Sequence, residues 1–183
     1  MIKNVFALFF GLTVSFVTFG QTKAAEIKWY TVEEAMAAAE KSPRKIMIDV
    51  YTHWCGPCKM MSQNTFTDPK FIEYMNANYY CVKFDAESAE SLTFKGQLFS
   101  NPDYDPNKSG RNGVHQFARF LKVSAYPTLV FLEPDGGYIG PIVGYKTAKD
   151  LEIFVKFFAA DQHKVVLTQE QWDAYQKSFV GTW

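Results

Sequence analysis

The sequence predicts an α/β fold. Helix and strand signals alternate along it, its apolar β-rich runs are short enough to be buried strands, and a Pro134-Asp135-Gly136-Gly137 turn joins the last two of them. A chain of 183 residues, 48% hydrophobic and 17% aromatic, can bury one good core and is too short for two large domains. Its 19 lysines and arginines balance its 19 aspartates and glutamates without a long basic run, so it lacks the electrostatic footprint of a nucleic-acid binder. Other proteins are the expected partners.

Residues 1–20 read as a secretory leader, with Lys3 as the positive start, an apolar run from Val5 to Phe19, and small residues before a cut after Gly20. A cut as late as Ala25 is the alternative. Retention as a membrane anchor is disfavoured, because the run is shorter than the ~20 residues a span needs. No cysteine lies in this segment, so lipid attachment to a cysteine there is excluded.

In the mature chain Thr31-Val32-Glu33-Glu34 forms a capping box that opens an alanine-rich helix, which should end by Ser42-Pro43. Lys45–Tyr51 is an apolar strand, and a helix starts after it near Cys55. Asp68-Pro69 has the form of an N-cap followed by proline at the first helical position, starting a helix through Phe71, Ile72 and Met75. Tyr79–Asp85 is a second buried strand. Val114, Phe117, Ala118 and Leu121 recur at helical spacing and mark another amphipathic helix. Thr128–Leu132 and Tyr138–Val143 are the last two strands, joined by the glycine turn. Thr147 and Asp150 then open a helix with the stripe Leu151, Phe154, Val155 and Phe158, and Thr168-Gln169-Glu170-Gln171 begins one more in a tail, 161–183.

The chemistry concentrates at Trp54-Cys55-Gly56-Pro57-Cys58-Lys59. Two cysteines three apart at a helix start lie within disulfide reach, and the helix N–H groups there favour a thiolate. Cys55, at the open end, is the expected nucleophile, and Cys58, a turn inward, the resolving thiol. Pro57 suits the first turn, where its missing N–H costs nothing, and Gly56 leaves room for a partner chain. Zinc would need two more ligands. Cys81, His53, His115 and His163 offer no second CxxC or HxxxH, so no metal is expected. A staple across so small a loop would stabilise little. Cys81 reads as a buried core thiol. Asp49 lies in an apolar strand, where loss of solvent should raise its pKa and suit it to exchange a proton with Cys58 through water.

Over 46–143 this order of elements resembles thioredoxin. The words Tyr51-Thr52-His53-Trp54-Cys55-Gly56-Pro57-Cys58-Lys59 and Thr65-Phe66-Thr67-Asp68-Pro69 are similar to exported thioredoxin-like proteins and the C-terminal domain of DsbD. The resemblance implies a thioredoxin fold, a central mixed β-sheet flanked by helices. It also implies a buried carboxylate ahead of the first cysteine, matched by Asp49, and a lysine on the next strand that pairs with it, matched by Lys83. A cis-proline facing the disulfide is matched by Pro127 after Tyr126, and such a bond would expose neighbouring backbone to an incoming peptide.

The chain departs from the family at an insertion, 87–113, ahead of the helix at 114–121. Asp103-Tyr104-Asp105-Pro106-Asn107 alternates oxygens as a calcium loop does, but Lys108 stands where such a loop needs glycine and Val114 where it needs glutamate. Leu92, Phe94, Leu98, Phe99 and Tyr104 are too many large apolar groups for a solvated linker, so they should pack on the domain or on a partner.

The expectation is thus a leader, a thioredoxin-like domain over 26–160, and a C-terminal extension. The protein is expected to be an exported, monomeric thiol–disulfide oxidoreductase, periplasmic or secreted. Cys55, Cys58, Asp49 and Lys83 would carry the reaction, and Trp54, Gly56, Pro57, Tyr126 and Pro127 would bind substrate. It would need no cofactor beyond the redox-active Cys55–Cys58 disulfide, and it would take electrons from a membrane donor. Gly-Pro between the cysteines favours reduction, by resemblance. The alternatives are a redox-inactive binding module of the same fold and a disulfide isomerase, which is expected to dimerise.

Overall fold

The computed structural model describes residues 26–183, so the expected leader lies outside the described residues. A five-stranded mixed sheet in the order β1-β3-β2-β6-β7 forms the centre, built from β1 (Trp29–Tyr30), β2 (Lys45–Tyr51), β3 (Tyr79–Asp85), β6 (Thr128–Leu132) and β7 (Tyr138–Val143). β1 and β2 run parallel to β3, whereas β6 runs antiparallel to β2 and β7 to β6. A separate two-stranded hairpin, β4 (Leu92–Phe94) with β5 (Gln97–Phe99), occupies part of the insertion.

The helices begin where the sequence supplies caps. Thr31 and Glu34 complete a capping box at α1 (Val32–Lys41), Asp68 accepts from the Lys70 and Phe71 amides at α3 (Pro69–Asn78), and Thr147 and Asp150 box α5 (Ala148–Ala159). α2 (Gly56–Met60) runs into a π-helical turn, Met61–Thr65, that the sequence does not announce. α4 (Gln116–Phe120) starts two residues later than the Val114 stripe suggests, because the His115 ring nitrogen accepts from the Phe117 amide and so makes His115 the cap. α6 (Gln169–Ser178) follows the Thr168 capping box in the tail.

Successive strand residues point to opposite sheet faces, and the core divides accordingly. Ile46, Ile48 and Val50 of β2 face α1 and α4, joined by Val82, Phe84, Val130 and Phe117. Met47 faces the other way, with Cys81, Leu129, Met61, Phe71, Leu151 and Val155. Asp49 shares the parity of Met47, so β2 delivers a carboxylate to the face covered by α3, α5 and the π-turn after α2. A one-residue slip would have sent it to the other core.

The insertion is part of the first core. Leu92, Phe94 and Phe99 are buried in it, and the rings of Phe94 and Phe99 lie 5.3 and 5.4 Å from that of Phe117. Leu98 and Tyr104 remain exposed. Asp103, the first oxygen of the calcium-like run, pairs with Arg119 at 3.0 Å.

The tail also packs. Trp172 lies on Phe154 and Phe157, and Trp183 meets Phe71 and Tyr74 edge-on. Among the described residues no helix is long and apolar enough to cross a membrane.

Candidate active site

β2 ends at Tyr51, and a turn in which the Cys55 amide donates to the Thr52 carbonyl brings the chain to the start of α2. Cys55 is the N-cap. Its Sγ accepts a hydrogen bond from the Cys58 amide at 3.1 Å, the interaction that favours electron density on this sulfur. Cys55 and Cys58 are joined as a disulfide with Cα atoms 5.3 Å apart. Both are covered, at 3% and 5% exposure, so accessibility does not separate them in this state. Position in the helix does: Cys55 caps it, and Cys58 lies within it. Pro57 occupies the first turn, and a side chain at Gly56 would meet nothing within 4 Å, so the space outside the motif is open.

Behind the disulfide, Asp49 and Lys83 are partners in the parallel register of β2 and β3. Lys83 Nζ lies 3.2 Å from Asp49 Oδ2 and donates to Ser62 Oγ at 2.9 Å. The rings of Trp29, Tyr51 and Phe66 surround the same ammonium at 5.0, 5.1 and 5.3 Å. Burial dominates at Asp49 and pushes its pKa above the ordinary carboxylate range, with Lys83 pulling the other way. The second oxygen, Oδ1, is buried with no partner among the described residues. A carboxylate of this kind takes up a proton readily. A cleft of about 180 Å³ lined by Tyr51, Cys58, Ser62 and Lys83 gives water a place between Cys58 and the lysine that pairs with Asp49.

The outer rim is aromatic. The Trp54 indole N–H donates to Glu87 Oε2 at 3.0 Å, its ring packs edge-on against Tyr126 at 5.8 Å, and the Arg111 guanidinium lies over it at 4.3 Å. Tyr126 and Pro127 are joined by a cis peptide, and the Pro127 carbonyl accepts from the Gly144 amide where β6 begins. All nine residues singled out in the sequence thus belong to the motif, to its rim, or to the carboxylate–lysine pair at its back. Ser62, Glu87 and Arg111 were not singled out. Ser62 lies on the helix face that looks down on Lys83, but an isolated serine carries no such message. Glu87 and Arg111 lie on a segment remote in sequence whose path has no local signature.

The remaining histidines and the free thiol are occupied elsewhere. His115 is fully buried, its Nε2 bonds the Glu90 carbonyl, and burial lowers its pKa. His53 pairs with Asp85 at 3.2 Å. His163, Glu133 and Asp161 approach one another as metal ligands could, but Lys45 and Lys164 already neutralise both carboxylates. Cys81 is buried, and burial pushes its thiol pKa far up, which makes it inert.

A family model described as a thioredoxin-like domain matches residues 32–159. The thiol:disulfide interchange protein DsbD of Pectobacterium atrosepticum is 23% identical over 130 residues, which cover 70% of this chain and 19% of DsbD. Thioredoxin Y of Oryza sativa is 28% identical over 98 residues, 54% of this chain and 56% of that protein. The chain therefore spans about a fifth and about half of these two relatives. Among solved structures, a thioredoxin-fold protein from Helicobacter pylori superposes with a TM-score of 0.55 at 10% identity, over 73% of this chain and 81% of that one. A putative disulphide-isomerase from Bacteroides thetaiotaomicron does so with a TM-score of 0.51 at 26% identity, over 75% and 93%.

Proposed function

The chain belongs to the thioredoxin-like domain family, and on that premise we propose that it is an exported reductase of protein disulfides. The observation that carries this reading is the Cys55–Cys58 disulfide at the start of a helix, with Cys58 lining the same cleft as Lys83, the partner of the buried Asp49 carboxylate. In the reduced enzyme the Cys55 thiolate attacks one sulfur of a substrate disulfide. A mixed disulfide forms, the substrate S–S bond breaks, and the leaving thiolate takes a proton from water. Cys58 then gives its proton to Asp49 and attacks Cys55 Sγ. The second substrate sulfur leaves as a thiolate and takes up, through water, the proton that Asp49 received; the Cys55–Cys58 disulfide remains, so two electrons and two protons have passed to the substrate.

Lys83 holds the Asp49 carboxylate in place, and Trp54, Gly56, Pro57, Tyr126 and Pro127 form the surface on which the substrate lies. No further cofactor enters the cycle. An exported enzyme of this kind is returned to the dithiol by a membrane-bound thiol donor. The leader-like pattern of residues 1–20, a positive start followed by an apolar run, supports export and a periplasmic or secreted location.

The direct test is reduction of insulin disulfides by the purified mature protein with a chemical dithiol as donor. Wild type should accelerate the reaction and Cys55→Ser should not. Undiminished activity in Cys55→Ser would remove the nucleophile from this scheme. Likeness to a putative disulphide-isomerase supports a second reading, in which the mixed disulfide rearranges before Cys58 resolves it. Refolding of a scrambled disulfide protein without added reductant separates the two, since only an isomerase recovers its activity.

A further inference from the structure

We propose that Arg111 makes this redox centre selective for disulfides flanked by acidic residues. The inference rests on the reductase reading and names the substrate class that reading leaves open. Arg111 comes from the segment between β5 and α4, yet its guanidinium lies 4.3 Å from the ring of Trp54, the residue before the nucleophilic cysteine. Among the described residues no carboxylate pairs with it. Its side chain is exposed, so the N–H donors not turned to the ring face solvent where a substrate would arrive.

The carboxylates of Asp49, Asp85 and Glu87 are already engaged. Glu87, 9% exposed, holds the Trp54 indole; Asp85 holds the Glu87 amide and His53; Asp49 holds Lys83. Among the described residues, Arg111 on Trp54 and Lys59 beside Cys58 are both exposed and both positive, on a chain whose formal net charge is zero. Trp54 fixes the guanidinium and leaves it planar and open, the form in which arginine grips a carboxylate with two hydrogen bonds. A glutamate next to the substrate cysteine falls within reach of that grip when the cysteine meets Cys55. A lysine there is repelled.

At a separation of about 6 Å in water-like surroundings, one such charge pair changes a rate about threefold, and replacing glutamate by lysine changes it about tenfold. The test uses the pre-reduced protein in single turnover against three quenched disulfide peptides carrying glutamate, glutamine or lysine beside one cysteine. The quantity read is the ratio of rate constants for the glutamate and lysine peptides, so the intrinsic reactivity of the peptides cancels between variants. Arg111→Gln should lower the wild-type ratio about tenfold, Arg111→Glu should lower it further, and Arg111→Lys should keep most of it. The wild-type preference should shrink at high salt. An identical ratio in wild type and Arg111→Gln overturns the assignment and leaves the reductase reading standing. Failure of wild type to reduce any of the three peptides overturns both.

Discussion

Glu152 lies on the buried side of α5 at 1% exposure and binds the end of the chain. Its carboxylate accepts from Lys156 Nζ at 2.6 Å, from the Thr182 amide and hydroxyl at 2.6 and 2.8 Å, and from the Trp183 amide at 3.2 Å. Burial alone would raise its pKa, but these bonds outweigh burial and hold the group at about 2, against an ordinary 4.5. That difference corresponds to about 3.4 kcal/mol, which nearby solvent screens to about 2 kcal/mol of stability. Because the folded-state pKa is depressed, the contribution is complete above pH 4.5 and is lost as pH falls from there towards 2. Glu152→Gln should therefore cost about 2 kcal/mol at pH 7, a fall in melting temperature of about 6 °C for a domain of this size, and less than half of that at pH 3. Urea unfolding of both proteins at the two pH values measures it. An equal cost at pH 7 and pH 3 would refute the reasoning, since the loss would then come from packing and not from ionisation. Trp183 presses on Phe71, which stacks on Phe66 beside Lys83, so the clamp supports the floor of the site without touching the sulfurs.

Asp49→Asn should slow release from the mixed disulfide by about 10² and the first attack far less, because in the proposed cycle the proton it receives belongs to Cys58; stopped-flow resolves the two steps, and equal slowing would make Asp49 structural only. Burial raises the Asp49 pKa, so its charged form costs stability above the folded pKa, and the wild type should gain stability relative to Asp49→Asn as pH falls through that value; titrated unfolding curves check the sign. Phe94→Ala should cost about 3–5 kcal/mol, because this ring of the insertion is buried against Phe117. A loss under about 1 kcal/mol in chemical denaturation would mean the hairpin is not part of the core.

Features with a local signature were legible in the sequence. The four long strands are short apolar runs, the capping boxes at Thr31, Thr147 and Thr168 are contained within four residues, and the motif itself fixes where α2 begins. The Asp49–Lys83 pair was reached through resemblance, and the strand register gives it its geometry. Features made by distant contacts were not legible. β1 has two residues and exists because β3 offers an open edge, and the β4–β5 hairpin lacks a long alternating pattern. Ser62 on Lys83, Glu87 and Arg111 on Trp54, and Glu152 on the chain end join segments that only the folded chain brings together. The insertion carried a compositional hint, in that its aromatic residues had to pack somewhere. That they complete the core under α4 is a fact of tertiary structure.

The central claim is that Cys55 attacks and Cys58 resolves. Expressed from the full sequence, Cys58→Ala should accumulate mixed disulfides with protein substrates, and peptide mapping should place every adduct on Cys55. Wild type and Cys55→Ala should accumulate few. Adducts on Cys81, or none on Cys55, would contradict the mechanism.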